Sequence, residues 1–448
     1  MPSCTSVGAP SAGRCGADGW RGVAGWVAGG CGAGCAGGAC GVDPGRGNGC
    51  GTGICCSAAS SNTTSMRPII RLRDFCRGER VWLVETIETL VRLESPTTDK
   101  AAADRCGAEV ARRLAAIGGR VTTLSGGDRA DHVLAEFDPS SAPVANQKQL
   151  LILGHFDTVW PVGQLQRMPL AYADGRLHGP GVFDMKAGIA IGMLAVRALR
   201  ETATAVRRIV MLWTSDEEIG SRTSRQTIEA EARRSEAVLV LEPSLPGGAL
   251  KTSRKGVGSY ELIVHGRSAH AGIDPEKGVS AVQELAQQTL RLNALQDASR
   301  GLSVNVVQVS GGSRSNVIPD EARAIVDVRA PTLVGMQHIE SAFRALTPVD
   351  PRASIEVRGG FDRPPLERSE HVVRLFRAAE RVATELNVPL AEGSTGGGSD
   401  GNFTAALGVP TLDGLGAIGD GAHAIDEHVI VDALPDRAAL IAGLLTSI

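Results

Sequence analysis

The sequence predicts an α/β fold in which helices sandwich a mostly parallel sheet, with a smaller β-α-β-β-α-β domain inserted into the main one. Two observations lead to this prediction. Short apolar runs alternate with helical segments along most of the chain, and such alternation is typical of a parallel sheet covered by helices. From residue 254 the order changes to strand, helix, two strands, helix and strand, which is the ferredoxin-like arrangement.

The first part of the main domain supplies the alternation. "VWLVETIETLVRLES" has a helical pattern that Pro96 ends, and glycines close a second helix, "KAAADRCGAEVARRLAAIGG". The apolar runs "HVLAEF", "QLLILGHF", "RRIVMLW" and "AVLVLE" predict strands. "MKAGIAIGMLAVRALRE" and "SRTSRQTIEAEARR" predict further helices. We assign residues 66–253 to this part.

The inserted domain has its own pattern. Four strands are predicted by "GVGSYELIVHG", "GLSVNVVQVSG", "ARAIVDVRA" and "ASIEVRG", and two helices by "GVSAVQELAQQTLRLNAL" and "LVGMQHIESAFRAL". We predict that residues 254–362 form a lid and dimerisation domain. The α/β pattern resumes at "EHVVRLFRAAERVATELN", so residues 363–448 complete the main domain.

The first 65 residues differ in composition from the rest. They hold eight of the ten cysteines and many glycines, but no Lys, Glu, His, Phe or Tyr, and such a segment cannot build an ordinary core. It has neither paired C-x-x-C spacing nor the charged start of a signal peptide. We expect a disordered tail, or a start codon placed too early before Met66. The body keeps only Cys76 and Cys106, which suits a reducing cytoplasm.

The overall charge and hydropathy exclude two classes of partner. The formal net charge is −3 and the pI is about 6.3, so the chain has no basic footprint for nucleic acid. No apolar run approaches the length that a membrane helix needs. We therefore expect neither nucleic acid nor a membrane as a partner.

Polar side chains follow the predicted strands of the main domain. In chain order they are His155, Asp157, Asp184, Glu217, Glu218, Glu242 and His423. Functional groups of an open α/β sheet gather at the carboxyl ends of its strands, so these residues are expected to converge. Taken singly, His155 is better explained as a loop histidine satisfied by a neighbour, and Asp184 as a helix N-cap. Several such coincidences at strand ends are much harder to explain in that way.

The residue types indicate a metal site. Two histidines and three or four carboxylates, without a thiolate, suit zinc or a similar first-row divalent ion with open coordination positions. They are too many for one catalytic zinc and suit two ions that share a bridging carboxylate. If the extended geometry persists, His155 and Asp157 point the same way, and such a carboxylate can fix the tautomer of a ligating histidine.

Eight motifs together resemble one family. They are "GHFDTVW", "GPGVFDMKAG", "TSDEEIGS", "VLEPS", "GRSAHAG", "SNVIPDEARAIVDVR", "TGGGSDG" and the late "GAH". In this order they resemble the dinuclear-zinc aminoacylase and glutamate carboxypeptidase family, and most of all its bacterial glutamate carboxypeptidase branch. The resemblance extends from about Val81 to Ile448. It implies a zinc-exopeptidase-like fold and two zinc ions per subunit, with cobalt or manganese as alternatives.

The resemblance also implies a role for each residue of the main domain. One zinc is held by His155 and Glu242, the other by Glu218 and His423, and both by Asp184. Asp157 orients His155, and Glu217 is the general base and later the acid. We expect the two adjacent glutamates to divide their tasks because neighbouring side chains of extended backbone point in opposite directions. Met185 stands where some relatives have a second aspartate, and we expect it to change the surroundings but not the ligand set.

In the inserted domain, the resemblance implies that His270 reaches the active site of a second subunit and stabilises the oxyanion, so a homodimer is expected. Asn316 and Arg329 match residues associated with substrate binding. Arg329 can clamp a substrate carboxylate through two hydrogen bonds; a strand-surface ion pair is the alternative. The backbone N–H groups of Gly396, Gly397 and Gly398 can approach the same carboxylate, unless this is a plain flexible loop.

The sequence therefore predicts a cytoplasmic zinc-dependent metallopeptidase or amidohydrolase. Its substrate is a small peptide or N-acyl amino acid, and it cleaves an amide bond next to a free carboxylate to release a C-terminal amino acid such as glutamate. One alternative is a deacylase of the acetylornithine or succinyl-diaminopimelate type, which would use the same ligands. The other is a non-catalytic metal-binding scaffold, which would have no need of Glu217.

Overall fold

The structure is a computed structural model that describes residues 68–139 and 147–448. The predicted tail, residues 1–65, lies outside the described residues. The α-helices are α1 (Pro68–Gly78), α2 (Arg80–Arg92), α3 (Lys100–Ala116), α4 (Gln164–Arg167), α5 (Ala187–Glu201), α6 (Arg225–Arg233), α7 (Ala281–Asn293), α8 (Leu333–Arg344), α9 (Glu370–Leu386), α10 (Gly401–Ala406) and α11 (Leu434–Ser447).

The strands form four sheets among these residues. They are β1 (Arg120–Leu124), β2 (His132–Phe137), β3 (Gln149–His155), β4 (Ala171–Ala173), β5 (Arg176–His178), β6 (Ile209–Thr214), β7 (Ser235–Val240), β8 (Leu250–Arg254), β9 (Gly256–His265), β10 (Ser303–Gly311), β11 (Glu321–Ala330), β12 (Ser354–Arg363), β13 (Glu392–Thr395), β14 (Thr411–Leu412), β15 (Gly419–Asp420) and β16 (His428–Ile430).

The central sheet has the strand order β1-β2-β6-β3-β7-β14. The neighbours β6, β3, β7 and β14 run parallel, whereas β1 and β2 form an antiparallel edge. The mostly parallel α/β sheet predicted from the sequence is thereby confirmed. Its apolar strands were recognisable because both of their faces are covered.

Successive side chains of β3 enter two different apolar cores. Leu150 and Ile152 pack with α1, α2, α5, α9 and α11, whereas Leu151 and Leu153 pack with α6 and Phe403 of α10. This follows from the two-residue period of a strand. Each buried leucine contributes about 1.5–3 kcal/mol of transfer free energy, so the two cores fix β3 and the residues that follow it.

The inserted segment forms an antiparallel sheet in the order β10-β11-β9-β12. Helices α7 and α8 pack with this sheet in one core, in which the rings of Tyr260 and Phe343 stack with centroids 4.0 Å apart. The observed order of elements is the predicted β-α-β-β-α-β order. The exact domain limits, and the roles of this segment as lid and dimerisation surface, stay predictions.

Two small sheets complete the main domain near the strand ends. Strand β13 pairs in parallel with β8, and β15, β16, β5 and β4 form an antiparallel group. This four-stranded sheet brings the segment around His423 close to the loop that carries Asp184. Among the described residues, no helix is both long enough and apolar enough to cross a membrane.

Candidate metal centre

The candidate site forms where three neighbouring parallel strands end. Strand β3 ends at His155, β6 leads into the turn that begins at Glu217, and Glu242 follows β7. The three strands are adjacent in the order β6-β3-β7, so the residues that follow them converge at one edge of the sheet.

Asp184 lies between the two histidines of the cluster. Its Oδ1 atom is 3.3 Å from Nε2 of His155, and its Oδ2 atom is 3.4 Å from Nε2 of His423. One carboxylate therefore presents each oxygen to a different imidazole. This is the arrangement that a bridging ligand requires.

A glutamate accompanies each histidine. Oε1 of Glu242 lies 3.4 Å from Nε2 of His155, and Oε1 of Glu218 lies 3.3 Å from Nε2 of His423. The structure thus brings together all five side chains that were predicted to hold metal. They form two halves, each with one histidine and one glutamate, that share Asp184.

The donor atoms of this cluster fit divalent cations. Oδ1 of Asp184 and Oε1 of Glu218 are buried and make no hydrogen bond of normal geometry with any described residue, although each lies 3.3 Å from an imidazole Nε2. A buried carboxylate oxygen without a partner is costly unless a cation or a donor compensates it. Mixed imidazole and carboxylate donors are suitable for zinc and related ions, and two halves suit two ions.

The electrostatics of the cluster also call for positive charge. Burial lowers the pKa of His155, but its hydrogen bonds with Asp157, Asp184 and Glu242 outweigh burial and raise that pKa well above its ordinary value. Hydrogen bonds with Asp184 and Glu218 raise the pKa of His423 to about 10. Without metal, protons on the imidazoles compensate the carboxylates; metal ions would displace these protons.

His155 is oriented by the residue two positions after it. Its Nδ1 atom lies 3.0 Å from the backbone carbonyl oxygen of Asp157 and 3.4 Å from Oδ1 of the same residue. A proton on Nδ1 satisfies this carbonyl. Nε2, which faces Asp184 and Glu242, is then the nitrogen that can bind a metal ion. The carboxylate of Asp157 also accepts hydrogen bonds from Thr97 and from the N–H groups of Glu217 and Glu218.

The two adjacent glutamates do not lie in extended backbone, so that expectation was wrong. Residues Glu217–Ile219 form a 3-10 helix that ends at Gly220, whose φ is 96°. Glu218 faces His423, whereas Oε1 of Glu217 lies 3.0 Å from Nη2 of Arg363. The side chains still diverge, because successive residues of a 3-10 helix are about a third of a turn apart.

The carboxyl group of Glu217 is buried beside a guanidinium. Burial raises the pKa of Glu217 well above its ordinary value, while the guanidinium of Arg363 opposes this shift. Arg363 also donates to the backbone carbonyl of Glu217, at 3.0 Å, and to Asp400, at 2.8 Å. No pattern in the sequence points to Arg363, because its partners are distant in the chain.

Glu427 is a second residue that the sequence did not single out. Its carboxylate accepts the N–H groups of Gly181, Phe183 and Asp184 at 2.8, 2.9 and 3.0 Å, and the indole N–H of Trp160 at 2.9 Å. These four donors fix the loop that presents Asp184. The signal that the sequence offered for Glu427 was an acidic residue four positions after His423.

Met185 lies in the core and not at the cluster. It is completely buried, and its sulfur accepts a hydrogen bond from the N–H of His155 at 3.4 Å. Its methyl group occupies the space that a side chain at Gly154 would need. Met185 thus packs beneath the histidine, as expected of a residue that changes the surroundings and not the ligand set.

Comparison with known proteins decides the family. Residues 151–447 match the model of peptidase family M20/M25/M40. Carboxypeptidase G2 of Pseudomonas sp. (strain RS-16) is 30% identical over 375 residues, which are 82% of this chain and 89% of that protein. The chain belongs to peptidase family M20. It is a metal-dependent hydrolase, as the motifs predicted.

Two further proteins, one similar in sequence and one similar in structure, extend the comparison. A succinyl-diaminopimelate desuccinylase of Thioalkalivibrio sulfidiphilus is 28% identical over 384 residues, which are 81% of this chain and 97% of that enzyme. The structure of the Bacillus subtilis YXEP protein, described as a dinuclear metal-binding peptidase of the M20 family, has a TM-score of 0.63 at 16% identity. It covers 83% of this chain and 98% of its own, and it confirms the M20 fold.

In this M20 chain the cluster opens into a cleft of about 820 Å³. Glu217, Glu242 and His423 line this cleft, and so do Arg329, Gly397 and Gly398. Arg329 is ion-paired with Asp327 at 2.7 Å on the same strand, which is the alternative that the sequence left open.

The glycine segment presents backbone to the cleft. The N–H groups of Gly397 and Gly398 make no hydrogen bond with any described residue, whereas their carbonyl oxygens accept from Arg254. Gly396 does not line the cleft; its carbonyl oxygen lies 3.5 Å from Nη1 of Arg329. Two of the three predicted glycines therefore have N–H groups available to a ligand.

His270 and Asn316 lie elsewhere on the inserted segment. Both are exposed, and the N–H of Ala271 donates to the carbonyl oxygen of Asn316 at 2.9 Å. Neither lines the cleft of its own chain. The structure brings these two predicted residues together with each other but not with the metal cluster.

Proposed function

We propose that this protein is a zinc-dependent carboxypeptidase that hydrolyses an amide bond next to a free carboxylate and releases a C-terminal amino acid such as glutamate. The observation that carries the proposal is the position of Asp184 between two histidine and glutamate pairs, with Glu217 in the same cleft. Similarity to carboxypeptidase G2 over most of both chains supports the substrate class.

In this proposal His155 and Glu242 hold one ion, Glu218 and His423 hold the other, and Asp184 holds both. Zinc is the metal that this donor set favours, and cobalt or manganese would fit the same atoms. Divalent ions held there would lower the pKa of a bound water molecule and polarise the scissile carbonyl.

Glu217 acts as the proton carrier. Its carboxylate takes a proton from the attacking water as the new C–O bond forms, and it delivers that proton to the amine nitrogen as the C–N bond breaks. A carboxyl pKa raised by burial suits both steps near neutral pH. Arg363 holds Glu217 in place through its side chain and its backbone carbonyl.

The free carboxylate of the substrate binds at the glycine segment and Arg329, which also line the cleft. The unpaired N–H groups of Gly397 and Gly398 can donate to it, and Arg329 adds a fork of two N–H groups once it leaves Asp327. Because the glycines have no side chain, the carboxylate can approach the backbone closely.

The inserted segment supports a homodimer. Strand β10 lies at the edge of its sheet and exposes 56% of Val307 and 64% of Val309, and Leu290 of α7 is 66% exposed. An exposed apolar edge strand is a template for pairing with another chain. Since His270 lies outside the cleft of its own chain, we propose that it completes the site of the second subunit and stabilises the oxyanion there.

The two buried thiols support a reducing, cytoplasmic location. Cys76 and Cys106 are free and buried, and burial raises the pKa of Cys76 to about 12. Inert thiols of this kind need no oxidising compartment.

A substrate panel tests the carboxypeptidase proposal. Folyl and peptidyl glutamates should show the highest kcat/KM, and their C-terminal amides should be poor substrates because they lack the recognised charge. The similarity to a succinyl-diaminopimelate desuccinylase favours the second candidate, an N-acyl-amino-acid deacylase. Preference for N-acetyl or N-succinyl amino acids would establish that alternative, and metal binding without any hydrolysis would favour a scaffold.

Subunit mixing tests the dimer. His270→Ala and Glu217→Gln proteins are each expected to be nearly inactive. After subunit exchange about half of the dimers are mixed, and each mixed dimer has one intact site if His270 serves the second subunit, so activity should recover to about a quarter of wild type. No recovery, with exchange shown independently, would refute the shared site.

A further inference from the structure

Arg254 connects a metal-site residue to a second buried acid. Its side chain is 3% exposed. Nη2 donates to Oε2 of Glu242 at 3.2 Å, and Nε and Nη2 form a bidentate pair with Asp413 at 2.7 and 2.9 Å. Oε1 of Glu242 is then the oxygen that faces His155. The guanidinium therefore fixes which oxygen of Glu242 is available to a metal ion.

The same guanidinium holds the glycine segment. Nη1 of Arg254 donates to the carbonyl oxygens of Gly397 and Gly398 at 3.2 and 2.9 Å. In a trans peptide the C=O of one residue and the N–H of the next point in opposite directions. Since the carbonyl of Gly397 faces the buried Arg254, the N–H of Gly398 points away from it, and Gly398 lines the cleft.

We propose that Arg254 is a positioning residue that fixes the metal ligand Glu242 and the carboxylate-binding glycine segment relative to each other. This inference rests on the function proposed above. It requires that one substitution weakens metal binding and substrate binding together. A purely structural arginine would change stability alone.

Arg437 provides a matched control. It is also 3% exposed, and it donates only to backbone carbonyls, those of Gly248, Gly414 and Gly416. Both arginines are buried donors to the main chain, but only Arg254 contacts a side chain of the metal cluster. Lysine at either position keeps the charge and loses the planar fork of five N–H groups.

The test compares Arg254→Lys with Arg437→Lys. Zinc affinity is measured by competition with a chelator in the absence of substrate, and KM and kcat are measured with a peptidyl glutamate. Arg254→Lys should weaken zinc binding by about 10–100-fold, the usual effect of losing a partner of a metal ligand, and should also raise KM. Arg437→Lys should lower Tm and leave both affinities unchanged.

Wild-type zinc affinity and KM in folded Arg254→Lys would overturn the inference. If that variant does not fold, Ser399→Ala serves instead, because it removes only the hydroxyl that donates to Asp413 at 2.6 Å and accepts from Gly401. Ser399→Ala should also weaken zinc binding and raise KM, by smaller factors than Arg254→Lys. Unchanged zinc affinity and KM would overturn the inference. A wild-type protein that neither binds zinc nor hydrolyses the panel would refute the proposed function itself.

Discussion

The guanidinium of Arg363 contacts two oxygens of Glu217, the side-chain Oε1 and the backbone carbonyl oxygen, each at 3.0 Å. Nη1 is paired with Asp400 at 2.8 Å, whereas Nη2, the nitrogen that contacts Glu217, also donates to Ser221 at 3.0 Å. Because four acceptors hold this buried guanidinium in place, the side chain of Glu217 has little freedom to change its conformation.

Arg363→Lys should therefore lower kcat with metal content unchanged. A lysine cannot reach the side chain and backbone of Glu217 and Asp400 at once, so we expect a loss of roughly 10–100-fold, which is 1.4–2.7 kcal/mol in the barrier. Arg225→Lys is the control, because Arg225 stands over the same Phe403 ring but pairs with Glu229. Equal losses in both variants would assign the effect to packing against Phe403.

Glu217→Gln tests the proton carrier. The amide has the same shape but cannot take a proton, so kcat should fall by roughly two or more orders of magnitude while two ions remain bound. Glu218→Gln, one residue away, should lose an ion because Glu218 faces His423. Turnover by Glu217→Gln near the wild-type rate would rule out its assigned role.

Glu427→Gln should release the loop that presents Asp184. An amide keeps one acceptor oxygen and turns an N–H₂ group toward backbone donors, so we expect a loss of about 1–3 kcal/mol in the free energy of unfolding and weaker metal binding. Glu94→Gln is matched to it, since Glu94 accepts the N–H groups of Gly163 and Leu165 at the start of α4. The idea is wrong if both variants bind zinc equally well.

His132 should make stability depend on pH in the metal-free protein. It is buried, and its Nδ1 lies 3.3 Å from the backbone nitrogen of Ser215, whose N–H donates to it. Burial lowers the pKa of His132 below 6.5, so its contribution to stability is complete above the unfolded pKa and is lost as pH falls through the folded one.

Urea unfolding between pH 7 and 5 checks this. The free energy of unfolding should decline less for His132→Gln than for the chelated wild type over that range. The exposed His338 provides a control substitution, His338→Gln, that should follow wild type. Parallel curves for all three proteins would contradict the prediction.

The sequence predicted the parts of the site that depend on local pattern. Apolar runs that end in His155 or precede Glu217 and Glu242 indicated parallel strands whose carboxyl ends carry chemistry, and the structure brings those residues together. Strand order within the sheet limits where such residues can meet, so their convergence needed no knowledge of side-chain contacts.

The supporting residues could not be predicted in this way. Glu427 contacts backbone donors about 245 positions earlier in the chain, and Arg254 meets the glycine segment more than 140 positions later. Neither contact produces a periodic pattern in the sequence. The 3-10 turn at Glu217 was missed for a related reason, because it is fixed by tertiary hydrogen bonds to Asp157 and Arg363.

The most direct test of the central claim is metal content and hydrolysis measured on one preparation. We expect two zinc ions per wild-type chain, loss of hydrolysis of a peptidyl glutamate on chelation, and recovery when zinc is returned. Glu218→Gln should retain one ion and little activity. Full activity after complete removal of metal, or an active wild-type enzyme that holds a single ion per chain, would contradict the account.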